Sequence, residues 1–345
     1  MPRLFVHCGL HKTGTTAIQR FMRDQADTLA GAGVLYPTAG RPGRSGGHHN
    51  LAWELARDRR YDPHWGNLAT LAQEIAGFDG DVVLSSEDFE SLLTMPDGLK
   101  PLAELAAAGG RTLTPILYVR HQADYLESLY YQCLKAGFAD DYSGFAQEAV
   151  ARGEVRRNEW RFLFDFGRAL EMLGRFAGGE VRVRNYHVLE GGSVVCDFLG
   201  AIGVPRSLFS DEALKLRAHE REPLLIALAR FYYNRVQRDL SRPEKRAVRM
   251  LGESLEAAAT PAPVELELAN AFVFSNKSLC RRYGLPEAGL VRAAENKAGP
   301  ADLAKVFSLE TQLAISALAE ELDRPEAAAR AAARAQAWRA WLQQA

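Results

Sequence analysis

Along the first 205 residues, short apolar runs alternate with stretches in which apolar side chains return every three to four positions. Leu4-Phe5-Val6 has strand character, and after a turn bounded by Gly9 and Gly14, Ile18, Phe21, Met22 and Leu29 recur at helical spacing. Gly33-Val-Leu-Tyr-Pro37 reads as a short strand ended by a proline, 68–75 as a helix, and 81–87 as a buried strand whose last residues turn polar. A helix over about 99–108 and a strand over 112–120 follow, the strand ending on Arg120. The next helix carries Leu126, Leu129, Tyr130 and Cys133 on one apolar face and Ser128 on roughly the opposite side.

Residues 156–176 show a helical pattern, with Trp160, Leu163, Phe166, Leu170, Leu173 and Phe176 near one face. Residues 180–186 alternate like a strand, and 194–203 read as a helix stopped by Pro205. Beyond residue 206 the pattern is helical: 222–239, 243–258, 265–282 and 309–322, then an Ala/Arg-rich run over 324–345 with high helix propensity. Two regions are therefore expected, an α/β core over 1–205 and a helical region over 206–345 packed on it within the same domain.

Composition changes this picture little. With 345 residues, 47% apolar and 25% charged, the chain is that of a soluble globular protein able to bury a sizeable core. A formal net charge of −1 gives no global field for nucleic acid or an anionic membrane, so any hold on a polyanion must be local. Cys8, Cys133, Cys196 and Cys280 are far apart, with neither a disulfide framework nor a zinc spacing. No apolar run is long enough to span a bilayer and no signal-peptide pattern opens the chain, so a cytoplasmic location is expected.

The chemistry concentrates in the first turn. Successive N–H groups at a helix start attract an anion, Thr15 and Thr16 add hydroxyls, and Lys12 adds a mobile charge. A nucleoside-triphosphatase loop places its lysine directly after the second glycine, whereas here Lys12 precedes Gly14. Taken alone, the turn also fits an ordinary strand-to-helix connection with threonine caps. In a parallel sheet the ligand crevice lies at the carboxyl ends of the strands, where Ser85, Ser86 and Glu87 fall. Glu87 is therefore a candidate general base, the alternative being a cap and dipole partner for the following helix. The loop Gly40–Asn50, too glycine-rich to pack, feeds His49 and Asn50 into a helix start, and either side chain is able to face a pocket.

The run Lys12-Thr13-Gly14-Thr15-Thr16 resembles the 5′-phosphosulfate loop of sulfotransferases that use 3′-phosphoadenylyl sulfate (PAPS). Arg120 and Ser128, with seven residues between them, resemble the pair with which that family binds the 3′-phosphate of PAPS, an arginine ending a strand and a serine on the following helix. The resemblance covers roughly the first 200 residues. It implies a three-layer α/β fold around a parallel sheet, and sulfuryl transfer from PAPS to a hydroxyl or amine with no metal. Lys12, Thr13, Gly14, Thr15, Thr16, Arg120 and Ser128 are then the cofactor-binding residues.

Lys12, with Glu87 or His49 as base, is then catalytic. Relatives carry a histidine at the strand end or, in the glycan-modifying branch, a glutamate; Glu87 stands there in this chain, which inclines the reading toward a carbohydrate-containing acceptor. Tyr186 corresponds to a residue near the adenine in relatives, and a buried strand role is its alternative. The basic, glycine-containing segment that cytosolic members bring over the cofactor has no matching pattern, and Arg217, Arg221, Lys277, Arg281 and Arg282 are the candidates to replace it. Two further readings remain, a P-loop kinase or other nucleotide-dependent enzyme, and a nucleotide-binding scaffold without activity.

Overall fold

The computed structural model describes residues 1–138, 140, 142–215 and 263–292. The helices expected over 222–239, 243–258, 309–322 and 324–345, with Arg217 and Arg221, lie outside the described residues. By compactness the chain falls into two units. The first takes its residues from 1–125, 152–219 and 272–292, and the second includes 126–151. Residues 272–292 are thus grouped with the sheet.

The first unit is α/β, built on a five-stranded parallel sheet in the order β2-β3-β1-β4-β7. Its strands are β1 (Arg3–Cys8), which extends the apolar run Leu4–Val6 at both ends, and β2 (Val34–Leu35), β3 (Asp81–Ser86), β4 (Thr112–Val119) and β7 (Arg182–Asn185), which lie within the stretches that read as strands. Cys8 pairs with Ser86 and His7 with Ile116, so β1, β3 and β4 end on the same edge. Both faces of the sheet are buried, as an all-parallel sheet requires. Phe5, Val83, Ile116 and Tyr118 pack against α1 (Thr15–Asp24) and a helix over Val194–Ile202. The alternate residues Leu4, Val6, Val82, Leu84 and Leu117 are buried on the other side.

The connections follow as α2 (Ala26–Gly31), α3 (His49–Ala56), α4 (Leu68–Ile75), α5 (Lys100–Ala108), α6 (Gln122–Lys135) and α7 (Tyr142–Arg152). After Ser86, a 3₁₀ segment over Glu87–Thr94 replaces an α-helix, capped by Ser86, whose Oγ accepts the Asp88 N–H at 3.1 Å. In the second unit, Tyr130 on α6 stacks edge-on with Tyr142 of α7, ring centroids 5.0 Å apart.

One expected helix is corrected. Residues 156–163 belong to an antiparallel hairpin, β5 (Glu154–Arg157) and β6 (Trp160–Leu163), and only α8 (Phe166–Phe176) is helical. Two residues, Asn158 and Glu159, close the hairpin, Asn158 at φ 51°, a conformation asparagine tolerates. Asp165 then caps α8 by accepting the Arg168 N–H, so the apparent helical face of Trp160 and Leu163 came from a short strand abutting a true helix.

Beyond α9 (Val194–Ile202) and α10 (Asp211–Leu214), α11 (Pro263–Tyr283) matches the helix expected over 265–282. Within the first unit, its last turns share a buried reciprocal amide pair with the start of α6, Gln122 Nε2 to Asn276 Oδ1 at 3.0 Å and Asn276 Nδ2 to Gln122 Oε1 at 2.8 Å. Asn185, at the end of β7, donates to the carbonyls of Pro286 and Ala288 and fixes the segment that follows the helix. All four cysteines are buried free thiols. No helix among the described residues is long and apolar enough to cross a membrane.

A fully buried histidine, His48, staples the edge of the sheet. His48 accepts the Ser85 N–H at Nδ1 (3.1 Å) and donates from Nε2 to the Pro37 carbonyl (3.0 Å). Burial, with Arg41 nearby, depresses its pKa to about 3. A folded pKa below the unfolded value near 6.5 means stability that is complete above pH 6.5 and drains as pH falls toward 3, at up to about 1.4 kcal/mol per pH unit. Urea denaturation at pH 7, 6, 5 and 4 is expected to show a shallower acid loss in His48→Gln than in wild type. Parallel curves would remove His48 from the acid sensitivity.

Candidate active site

The turn after β1 is shaped by backbone geometry. Gly14 caps α1 at φ 81° with Val194 against it: a Cβ there would lie 3.0 Å from Val194 Cγ1. At Gly9 a Cβ would lie 2.3 Å from Thr15 Cγ2 and 3.2 Å from the His7 ring. Both positions are closed to a side chain, so the backbone itself lines the turn. The Gly14 carbonyl accepts the N–H groups of Ala17 and Ile18, and with no cap side chain the N–H groups of Thr15 and Thr16 open the helix toward the turn. Thr13 is fully buried and its hydroxyl donates to the Leu10 carbonyl at 2.6 Å, so the loop itself uses that hydroxyl. Thr15 is buried, Thr16 half-buried and Lys12 exposed, Lys12 with its backbone at φ 64°.

From the end of β4, Arg120 reaches across this turn. Its Nη1 donates to the Lys12 carbonyl at 2.9 Å and its guanidinium lies over the Tyr186 ring, 5.4 Å from the centroid. Its Nε is buried without a partner. Burial lowers the Arg120 pKa against the opposing pull of Asp124. Asp124 itself pairs with Arg292, which follows the Pro286–Leu290 segment, and burial there is outweighed by Arg292, leaving the carboxylate below its usual range. His187 accepts the His121 N–H at Nε2 (3.0 Å) and is depressed to about 4 by burial. Ser128 is half-buried on α6, within the second unit.

At the end of β3 the polar groups form a second cluster. Glu87 accepts from Gln19 Nε2 at 2.8 Å, and its Oε2 lies 4.0 Å from His49 Nδ1. Burial would raise the Glu87 pKa, yet the charges of His49 and His11 hold it below the glutamate range. His49 Nδ1 sits 2.9 Å from Ser86 Oγ and 3.2 Å from Asp88 Oδ2, and its ring stacks on Trp53. Burial opposes its protonation, but the Asp88 hydrogen bond and the Glu87 charge win and raise its pKa. Arg60 bridges Asp58 and Asp88 and lies 4.9 Å over Trp53.

Compared with family models, with curated proteins and with solved structures, the chain finds no match.

The candidate residues Lys12, Thr13, Gly14, Thr15, Thr16, Glu87, His49 and Arg120 all lie within the first unit, at or beside the carboxyl ends of β1, β3 and β4. Three residues of this neighbourhood were missed by the sequence reading. Glu90 is fully buried and accepts from His11 Nδ1 (2.9 Å), Tyr125 Oη (2.7 Å) and the Leu163 N–H (2.5 Å), tying the loop to the hairpin. His11 is its partner, with burial overcome by Glu90 so that its pKa is raised. Arg292 pairs with Asp124, four residues after Arg120. A charged residue inside the apolar run Phe89-Glu90-Ser91-Leu92-Leu93 was the available signal for Glu90. Nothing in local pattern marks Arg292.

Gly14→Ala is expected to cost roughly 1–2 kcal/mol from the left-handed backbone alone. Val194→Ala in that background should recover only the part owed to the contact. Urea denaturation measures both, and a Gly14→Ala protein as stable as wild type would contradict the geometry of the turn.

Proposed function

We propose that the chain transfers a sulfuryl group from PAPS to a hydroxyl or amine acceptor, and that its fold is the three-layer, P-loop-like sandwich of the sulfotransferases it resembles. The observation that carries this reading is the 2.9 Å hydrogen bond from Arg120 to the Lys12 carbonyl. Lys12 and Arg120, distant in sequence, border one place at the edge of the sheet, as a single doubly phosphorylated adenosine requires. On this reading the N–H groups of Gly14, Thr15 and Thr16 and the hydroxyls of Thr15 and Thr16 hold the 5′-phosphosulfate, a preorganised arrangement of donors. Arg120 takes the 3′-phosphate, and Tyr186 stands beside the adenosine.

The acceptor oxygen or nitrogen attacks sulfur as the bond from sulfur to the 5′-phosphate oxygen breaks. The acceptor proton passes to a base, and Lys12 answers the negative charge left on the phosphate. Of the two candidate bases the environment favours Glu87. It stays ionised to lower pH than an ordinary glutamate, whereas His49 keeps its proton to higher pH than an ordinary imidazole. His49 then acts as the charge that holds Glu87 ionised. A carbohydrate-containing acceptor remains the favoured class, because a glutamate at this strand end resembles the glycan-modifying branch.

Isothermal calorimetry is expected to show binding of 3′,5′-bisphosphoadenosine and none of magnesium ATP; the reverse would favour a kinase-type enzyme. Tight nucleotide binding without sulfate transfer to any member of a broad acceptor panel would favour a scaffold. Lys12→Ala should lose nearly all turnover at an unchanged melting temperature, and activity within a few-fold of wild type would take Lys12 out of the mechanism.

Glu87→Gln is expected to lower kcat by about 10²–10⁴-fold with little change in nucleotide affinity. His49→Asn should keep turnover at neutral pH but move the acid limb of the rate profile upward, because Glu87 loses the charge that depresses its pKa. Loss of turnover in His49→Asn together with full turnover in Glu87→Gln would transfer the role of base to His49.

A further inference from the structure

Three non-glycine residues among those described have positive φ: Lys12, Arg57 and Asn158. Arg57 ends α3 and Asn158 turns a hairpin, two ordinary uses of the left-handed conformation. Lys12 does neither. It stands mid-turn, two residues before the cap of α1, and needs something outside the turn to hold it there. The carbonyl of this same residue receives the Arg120 guanidinium.

Arg120 is built to hold and to receive. Its ring partner Tyr186 fixes the plane of the guanidinium, and Nη1 is spent on Lys12. Nε is buried with no partner, and among the described residues no carboxylate pairs with Arg120, since Asp124 is taken by Arg292. A fork with one tine on the loop and another unpartnered invites an anion without releasing the loop.

We infer that Arg120 is the latch of the Lys12 loop: its hydrogen bond holds Lys12 in the left-handed conformation, and an anion bound at the rest of the guanidinium tightens that hold. Arg120 is thereby a positioning residue for Lys12 in addition to a phosphate ligand. That the tightening anion is the 3′-phosphate of the donor rests on the sulfuryl-transfer reading. The latch itself does not.

The test is limited trypsin digestion followed by mass spectrometry, comparing cleavage of the Lys12–Thr13 bond with that of the exposed Arg59–Arg60 bond in the same protein. Without nucleotide, Arg120→Ala is expected to speed the first cut about tenfold or more relative to the second. Arg120→Lys, with its charge kept and its fork lost, should speed it several-fold. Should Arg120→Ala melt well below wild type, the Arg120→Lys comparison decides. A ratio of the two cuts equal to that of wild type in a folded variant would overturn the latch.

At matched occupancy, 3′,5′-bisphosphoadenosine is expected to slow the Lys12 cut in wild type more than adenosine 5′-monophosphate does, and to lose that advantage in Arg120→Ala. Equal slowing by both nucleotides in wild type would overturn the 3′-phosphate coupling. If neither nucleotide binds, the sulfuryl-transfer reading and the coupling fail together, and the nucleotide-free digestion still judges the latch.

Discussion

The hydrogen bond from the Arg120 guanidinium to the Lys12 carbonyl joins two segments 108 residues apart, and it forms only because β1 and β4 run side by side in the same direction. Parallel pairing brings the carboxyl ends of both strands to one edge of the sheet. Whatever follows β1 must there meet whatever follows β4. The apolar strands, buried on both faces, fix that register, since a one-residue slip would turn Phe5, Val83 and Ile116 away from α1 and α9. The burial of these side chains thereby places an arginine against a loop carbonyl.

A second consequence of the shared edge is the charge pattern beside β3. Glu87, Asp88 and Glu90 follow one another along a single 3₁₀ segment, and His49 and His11 arrive from two other parts of the chain to balance them. Each carboxylate is thus compensated by an imidazole from elsewhere in sequence, and each imidazole holds its proton more tightly for it. For His7 and His48 burial dominates and favours the neutral ring, against Glu87 at His7 and with Arg41 at His48, His7 falling to about 4. Four histidines within one region therefore divide by what surrounds them, two holding their protons more tightly than an ordinary imidazole and two less tightly.

Much of the sheet was legible because parallel strands are short, continuous apolar runs punctuated by glycine and proline, and Leu4–Val6, Val82–Leu84 and Leu113–Val119 all have that form. The loop, Glu87, Arg120 and His49 were legible because each sits where an element starts or stops. The hairpin over 154–163 was not, since four-residue strands just before α8 carry aromatic spacing that a helix also produces. His11, Glu90 and Arg292 escaped for a different reason: their partners lie 79 and 168 residues away, and only the folded sheet brings them together.

The most direct measurement is a crystal structure of the protein with 3′,5′-bisphosphoadenosine. The account predicts one nucleotide whose 5′-phosphate lies on the N–H groups of Gly14, Thr15 and Thr16 near Lys12 and whose 3′-phosphate lies on Arg120. A nucleotide that contacts only one of these two groups, or that binds away from the carboxyl edge of the sheet, would contradict it.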